Sequence, residues 1–270
     1  MYFRIFILMV SLVVNLYSGA WTQRKGRAFV SLYYYFYYTD RYFDDNSKIK
    51  TFDHNGDFYS NNFGLYLEYG LLDNLNLILN QPLISNRWSD VNSYVKNFGF
   101  GDGEVGLRVR LFQRSFVTSF QFNFIHPFLY NSSKEPRLGY GITGIEGKFL
   151  LGGNIFWGKT KSVFGVEVGY RKYNGDVFDQ IRYILAYSIY MTKVLQFYLQ
   201  IDGVNSVRSG LFSTSLNPLL SKGMVQLKVA PAIVYEINYY IYLHSGFYTD
   251  IYGRNLSQSK GFFISLWVQL

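Results

Sequence analysis

From Glu104 to Leu111 the chain alternates without a slip. Glu104, Gly106, Arg108 and Arg110 fall on one face of an extended strand, and Val105, Leu107, Val109 and Leu111 on the other. The same period of two returns in Phe116, Phe120, Phe122 and Phe124, in Phe164, Val166, Val168 and Tyr170, and in Ile181, Tyr183, Leu185 and Tyr187. It returns again in Leu195, Phe197, Leu199 and Ile201 and in Val225, Leu227, Val229 and Ile233, each set opposite polar or small residues. A sheet of such strands has one greasy face and one that carries ions. A soluble sandwich would bury the greasy face, but here tyrosines and Trp157 gather near strand ends, where interfacial rings sit at headgroup depth. Lipid is therefore the expected cover. Backbone groups in hydrocarbon must all be paired, so the sheet must close on itself.

The pattern predicts strands near 26–38, 62–71, 74–82, 103–112, 116–126, 141–156, 162–173, 178–190, 194–203, 223–235, 240–249 and 260–270. Tight links at 72–73, 113–115, 157–161, 191–193 and 236–239 take turns with longer polar ones at 39–61, 83–102, 127–140, 174–177, 204–222 and 250–259. Twelve strands, with short and long connections strictly alternating, are the plan of a transmembrane antiparallel β-barrel with short periplasmic turns and longer external loops. The expected class is all-β, and the expected location is the bacterial outer membrane.

Residues 1–20 carry one cation at Arg4, an apolar stretch from Ile5 to Val14, and small residues at Ser18 and Ala20. This predicts a cleavable signal peptide over 1–20 and a barrel over 21–270. Losing Arg4 lowers the formal charge from +8 to +7. No basic run accompanies that charge, so a nucleic-acid partner is not expected. With no cysteine, disulfides, thiol catalysis and a lipidated N-terminal cysteine are excluded. At the other end Ile264, Leu266, Val268 and Leu270 alternate with Ser265, Trp267 and Gln269. That end is similar to the terminal strand through which barrel-insertion machinery recognises its clients, which usually finishes in Phe rather than Leu.

Alternation also assigns an interior. Glu104, Arg108, Arg110, Glu146, Lys148, Glu167, Arg171 and Arg182 form a predicted charged wall, with Gln226 and Lys228 further on. Near the seam where the last strand meets the first, Tyr33, Tyr35, Tyr240, Tyr242, His244 and Trp267 form a predicted aromatic wall. Such rings either pack the barrel or stack planar solutes while hydroxyls and imidazole offer hydrogen bonds. The three histidines, His54, His126 and His244, are dispersed, with no compact Ser/His/Asp pattern, so neither catalysis, nor a metal, nor any cofactor is expected. The loop acids Asp40, Asp44, Asp45, Asp53 and Asp57 read as a solvated rim.

Gly19–Gln23, the GDGEVGLRVRL stretch at 101–111, YGLLDNL at 69–75 and GRN at 253–255 resemble the outer-membrane family assigned to the meta-pathway of phenol degradation. More distantly, the chain resembles the long-chain fatty-acid and aromatic transporter barrels. The resemblance implies an outer-membrane protein that admits aromatic or other hydrophobic compounds. The chain departs from the fatty-acid transporters in having twelve strands rather than fourteen. With its first strand about five residues past the cleavage site, it leaves no room for an N-terminal plug. The expected function is a channel or passive transporter for small solutes, with outer-membrane lipids and the insertion machinery as partners. The alternative is a non-conducting structural, adhesive or surface-binding barrel.

Overall fold

The computed structural model describes residues 19–130, 133–158, 160–208, 210 and 215–270. Of the predicted leader, only Gly19 and Ala20 fall among the described residues. Alternating β-branched and aromatic residues build twelve long strands. They are β1 (Ala28–Thr39), β4 (Asp57–Leu72), β5 (Leu75–Ser89), β7 (Gly103–Gln113), β8 (Phe116–His126) and β9 (Gly144–Trp157). The second half comprises β10 (Thr160–Tyr173), β11 (Gln180–Tyr190), β12 (Leu195–Ser206), β13 (Val225–Asn238), β14 (Ile241–Arg254) and β16 (Lys260–Gln269). Each predicted strand has its counterpart here. Four short strands were not foreseen: β2 (Arg41–Phe43), β3 (Ile49–Thr51), β6 (Tyr94–Phe100) and β15 (Leu256–Ser257).

Every long strand pairs antiparallel with its neighbour, and β1 closes the ring by pairing with both β4 and β16. Closure leaves no free edge within the barrel. The tight links are shaped by side chains that take the place of ladder partners. Asn238 Oδ1 accepts the Tyr240 and Ile241 amides at 2.9 and 3.0 Å, and Thr192 Oγ1 accepts those of Val194 and Leu195. At the opposite end the long links carry extra structure. β2, β3 and β15 form a small separate sheet. β5 pairs with β7 only as far as Asn80 and, from Leu83 to Ser89, with β6, so these two strands make an arm beyond the barrel wall.

The faces follow the alternation. Leu107 is 47% exposed on the outside, whereas its neighbour Arg108 is 2% exposed inside. Outward Phe122, Phe149, Val168, Leu185 and Ile233 make the exterior apolar, as a lipid-facing wall requires. Inside, Tyr37, Phe58, Tyr198, Val234, Tyr242, Tyr248 and Phe263 pack as one cluster on one side of the lumen.

The N-terminal segment departs from expectation. It does enter the barrel: Trp21 is buried against Val117, Leu150 and Val163, and Ala20 is buried beside it. A plug this short fits because few residues are needed. Lys25 still lies at the β4–β5 turn, where its amide donates to Asp73 Oδ1 at 3.0 Å, and four residues later in the reverse direction the chain is inside. Gly152 makes the space, since a Cβ there would come within 2.6 Å of the indole.

Candidate functional site

The lumen divides into two chemically distinct walls. On one, Arg108 from β7 and Glu68 from β4 form a buried ion pair at 2.8 Å. Arg108 also donates to Gln121 Oε1 at 2.8 Å, to the Tyr66 hydroxyl at 3.2 Å and to the Trp21 carbonyl at 3.2 Å. Ser119 donates to the Ala20 carbonyl, so the barrel wall holds the N-terminal segment by its backbone. Further along the same wall Arg171 bridges Glu104 at 2.6 Å and Glu146 at 3.1 Å. Lys148 lies 3.7 Å from Glu146 and 3.6 Å from Glu167, and Arg182 lies 4.0 Å from Glu146. Opposite charges, several of them from strands that are not ladder neighbours, thus compensate one another, which is what makes their removal from water tolerable.

Seven of the eight residues expected on the charged wall join these networks. Arg110 does not: a register shift between Arg110 and Phe112 breaks the ladder beside it, and among the described residues it forms no ion pair. Glu68 was missed, although Leu65, Leu67 and Tyr69 alternate outward around it and could have placed it inside.

On the opposite wall the rings form a continuous run. Tyr33 and Tyr35 lie 5.5 Å apart, Tyr35 stacks on Phe263 at 5.2 Å, and His244 lies 4.8 Å from Phe263 and 4.5 Å from Trp267. Tyr242 pairs with Trp267 across the ladder and is buried in the same cluster, its hydroxyl donating to the Tyr239 carbonyl at 3.1 Å. Tyr33 reaches the other wall, donating to Asn80 Oδ1 at 2.9 Å. His244 Nδ1 meets Ser265 Oγ at 3.2 Å, while its buried Nε2 faces no protein hydrogen-bond partner. Tyr240 is the correction. It lies in the two-residue turn between β13 and β14 and is 62% exposed, because the hairpin reverses one residue before parity would carry its ring into the lumen.

Between the walls lie two cavities. The outer, about 280 Å³, is lined by Tyr35, Tyr248 and Phe263 on one side and by Gln200, Asp202 and Lys228 on the other. The inner, about 190 Å³, reaches from Glu167 and Ala186 to Trp21. Tyr198 and Gln200 line both, and the Tyr198 hydroxyl donates to Gln200 Oε1 at 2.6 Å. The two cavities adjoin at these residues, and Trp21 borders the inner one. Neither arrangement was read from the sequence, because each depends on which inward residues meet across the lumen.

The outer end is roofed by loops. Leu219, Met224 and Leu256 border the outer cavity. Asn86 and Asn217 both donate to the Arg137 carbonyl at 2.7 Å, and the Tyr140 hydroxyl donates to the Ser221 carbonyl at 3.0 Å. Asp102 fastens the loop after β8, accepting from Tyr130 Oη at 2.6 Å and from the Tyr140 and Gly141 amides at 2.8 and 3.3 Å. Burial pushes the Asp102 carboxyl above its ordinary range, against the lowering effect of those three bonds. His126 is spent on a 3.0 Å contact with Thr143 Oγ1, and His54 stands in the β1–β4 link. Among the described residues no cluster of three or more His, Cys, Asp or Glu is placed to hold a metal.

Comparison with known proteins gives the fold a setting. No family model matches the chain, and no curated protein is similar to it in sequence. Solved structures do match. An outer membrane channel from Pseudomonas putida F1, 13% identical, superimposes with a TM-score of 0.71 over 95% of this chain and 100% of that one. The NanC porin, 11% identical, matches 89% of this chain and 100% of its own with a TM-score of 0.51. The transport unit of the autotransporter AIDA-I from Escherichia coli, 9% identical, gives 0.50 over 97% and 96%. At these identities the likeness is one of fold. The chain is a closed twelve-stranded antiparallel β-barrel with an apolar exterior, a fold it shares with these outer-membrane proteins.

Proposed function

We propose that this protein is an outer-membrane channel that passes small solutes passively, with planar or apolar compounds favoured. The observation that carries the reading is the pair of cavities stacked along the lumen, meeting at Tyr198 and Gln200 between an aromatic wall and a charged one. Rings along one side offer stacking surface. Asp202 and Lys228 across from them offer a carboxylate and an ammonium to the polar end of a solute. The resemblance to the phenol-degradation outer-membrane family supports the same class of solute, and the fold shared with an outer membrane channel supports passage itself. Nothing in this reading calls for enzymatic chemistry or a cofactor. We place export under a signal peptide cleaved after Ala20, followed by insertion through the barrel-assembly machinery.

The test is conductance of the purified protein in planar bilayers, together with liposome flux of planar and non-planar solutes matched in size and charge. Measurable conductance and faster planar flux are expected. A second reading, a non-conducting surface barrel, is favoured by one observation: Trp21 fills the inner end of the lumen while Leu219, Met224 and Leu256 roof the outer end. Absence of conductance and of flux would establish that reading instead.

A further inference from the structure

We propose that the outer rim of the barrel, from β14 across to β5, binds a phosphorylated lipid of the outer leaflet. The inference concerns the lipid-facing surface and stands whether or not the lumen conducts.

Outward side chains at one level of the ladder fall into a single cross-strand row. Thr249 pairs with Lys260, Lys260 with Tyr38, Tyr38 with Tyr59, Tyr59 with Arg87, and Arg87 with Lys96. From Lys260 the row reads cation, ring, ring, cation, cation. Lys260 Nζ sits 5.4 Å from the Tyr38 ring centroid, the Tyr38 and Tyr59 rings lie 4.7 Å apart, and the Arg87 guanidinium lies 3.9 Å over Tyr59. The Tyr94 ring lies 5.9 Å from the same guanidinium, and Lys260 and Lys96 are exposed. Arg87 has Asp57 at 3.6 Å, both side chains about one-third exposed, and Asp40 lies close enough to act on the Tyr38 hydroxyl. Among the described residues Lys260 and Lys96 form no ion pair.

Directly below Lys260, on the membrane side, the surface becomes a groove of about 500 Å³ walled by Phe36, Phe247 and Phe262. Gly261 and Tyr248 also border it, and the Tyr248 hydroxyl donates to the Phe36 carbonyl at 2.8 Å. From outward Val30 to Tyr38 is one membrane crossing of a tilted strand, so the row stands at the outer headgroup level with hydrocarbon beneath. An ammonium at the mouth of an apolar groove fits a phosphate joined to an acyl chain. A free phosphate would make no use of the groove. Lys260 and Arg87 stand three strands apart, about 14 Å. That span suits a headgroup carrying two phosphates on a disaccharide, the second phosphate meeting Arg87 and Lys96 on the arm.

The experiment is native mass spectrometry of the whole protein, titrated with diphosphoryl lipid A, monophosphoryl lipid A, phosphatidylcholine and inorganic phosphate. Folding of each variant is checked by heat-modifiable migration. One diphosphoryl lipid should be retained most tightly, the monophosphoryl form less so and phosphatidylcholine least. Lys260→Gln and Arg87→Gln should each weaken binding about fivefold, and Arg114→Gln at the opposite rim should not. Phe247→Ala, which removes a groove wall at an exposed site, should weaken all acylated ligands, and rising salt should weaken the phosphorylated ones in the unmodified protein. Equal retention of phosphatidylcholine, unchanged binding in the folded charge variants, or displacement of the lipid by inorganic phosphate at equal concentration would each overturn the proposal.

Discussion

Arg108 holds Glu68 at 2.8 Å across two strands that are not neighbours in the ladder, with both side chains almost fully buried in the lumen. β5 lies between them and contributes Asn76, ladder partner of Arg108 and fully buried. The pair therefore spans the curvature of the wall, and it also carries the hydrogen bond to the Trp21 carbonyl.

Removing one partner strands a buried charge. Glu68→Gln or Arg108→Leu should each cost about 3–5 kcal/mol, and the double change Glu68→Leu with Arg108→Leu should recover much of the loss. Urea unfolding in lipid vesicles measures this. Alternation alone makes Arg108→Leu the gentle change and its neighbour Leu107→Arg the severe one. The buried pair raises the first to the level of the second, for which about 2–4 kcal/mol is expected near the membrane midplane. A neutral Arg108→Leu would mean the pair is not formed.

Topology follows from the loop end and the turn end. A single cysteine at Asn46, in the β1–β4 link, should react with an impermeant thiol reagent on intact cells, and one at Asp73, in the two-residue β4–β5 turn, should not. Labelling in the opposite sense would invert the barrel.

Trp21 is buried in the inner lumen against Val117, Leu150 and Val163, and its own carbonyl, which stays with the chain after the proposed cleavage at Ala20, accepts from Arg108. Trp21→Ala should raise single-channel conductance while leaving heat-modifiable migration intact. Tyr35→Leu with Tyr248→Leu, on the outer cavity, should instead reduce the preference for planar solutes. If conductance is unchanged in the first variant, the constriction lies at Tyr198 and Gln200.

In the external sheet, Asp44 accepts the Lys50 ammonium at 2.9 Å and the amides of Asn46 and Lys48, which hold its carboxyl below the ordinary range. Because the folded value is depressed, the ordering it provides is complete above the ordinary carboxylate range and is lost as pH falls through the folded value. Amide hydrogen exchange at Asn46 and Lys48 should accelerate below about pH 4 relative to the intrinsic rate. Asp44→Asn should show the fast exchange at every pH.

Sequence alone determined the barrel. A period of two needs no knowledge of neighbours: Leu107 and Arg108 are driven to opposite faces by backbone geometry, and turn residues such as Asn238 and Thr192 act within a few positions of themselves. What the tertiary structure decided are the relations between distant strands. Which acid meets Arg108, why Arg110 meets none among the described residues, and how Tyr198 and Gln200 come to border both cavities depend on stagger and curvature, which no local pattern encodes. Trp21 is the clearest instance. Counting residues leaves no room for a plug, yet Gly152, more than a hundred positions away, supplies the space in which the indole lies.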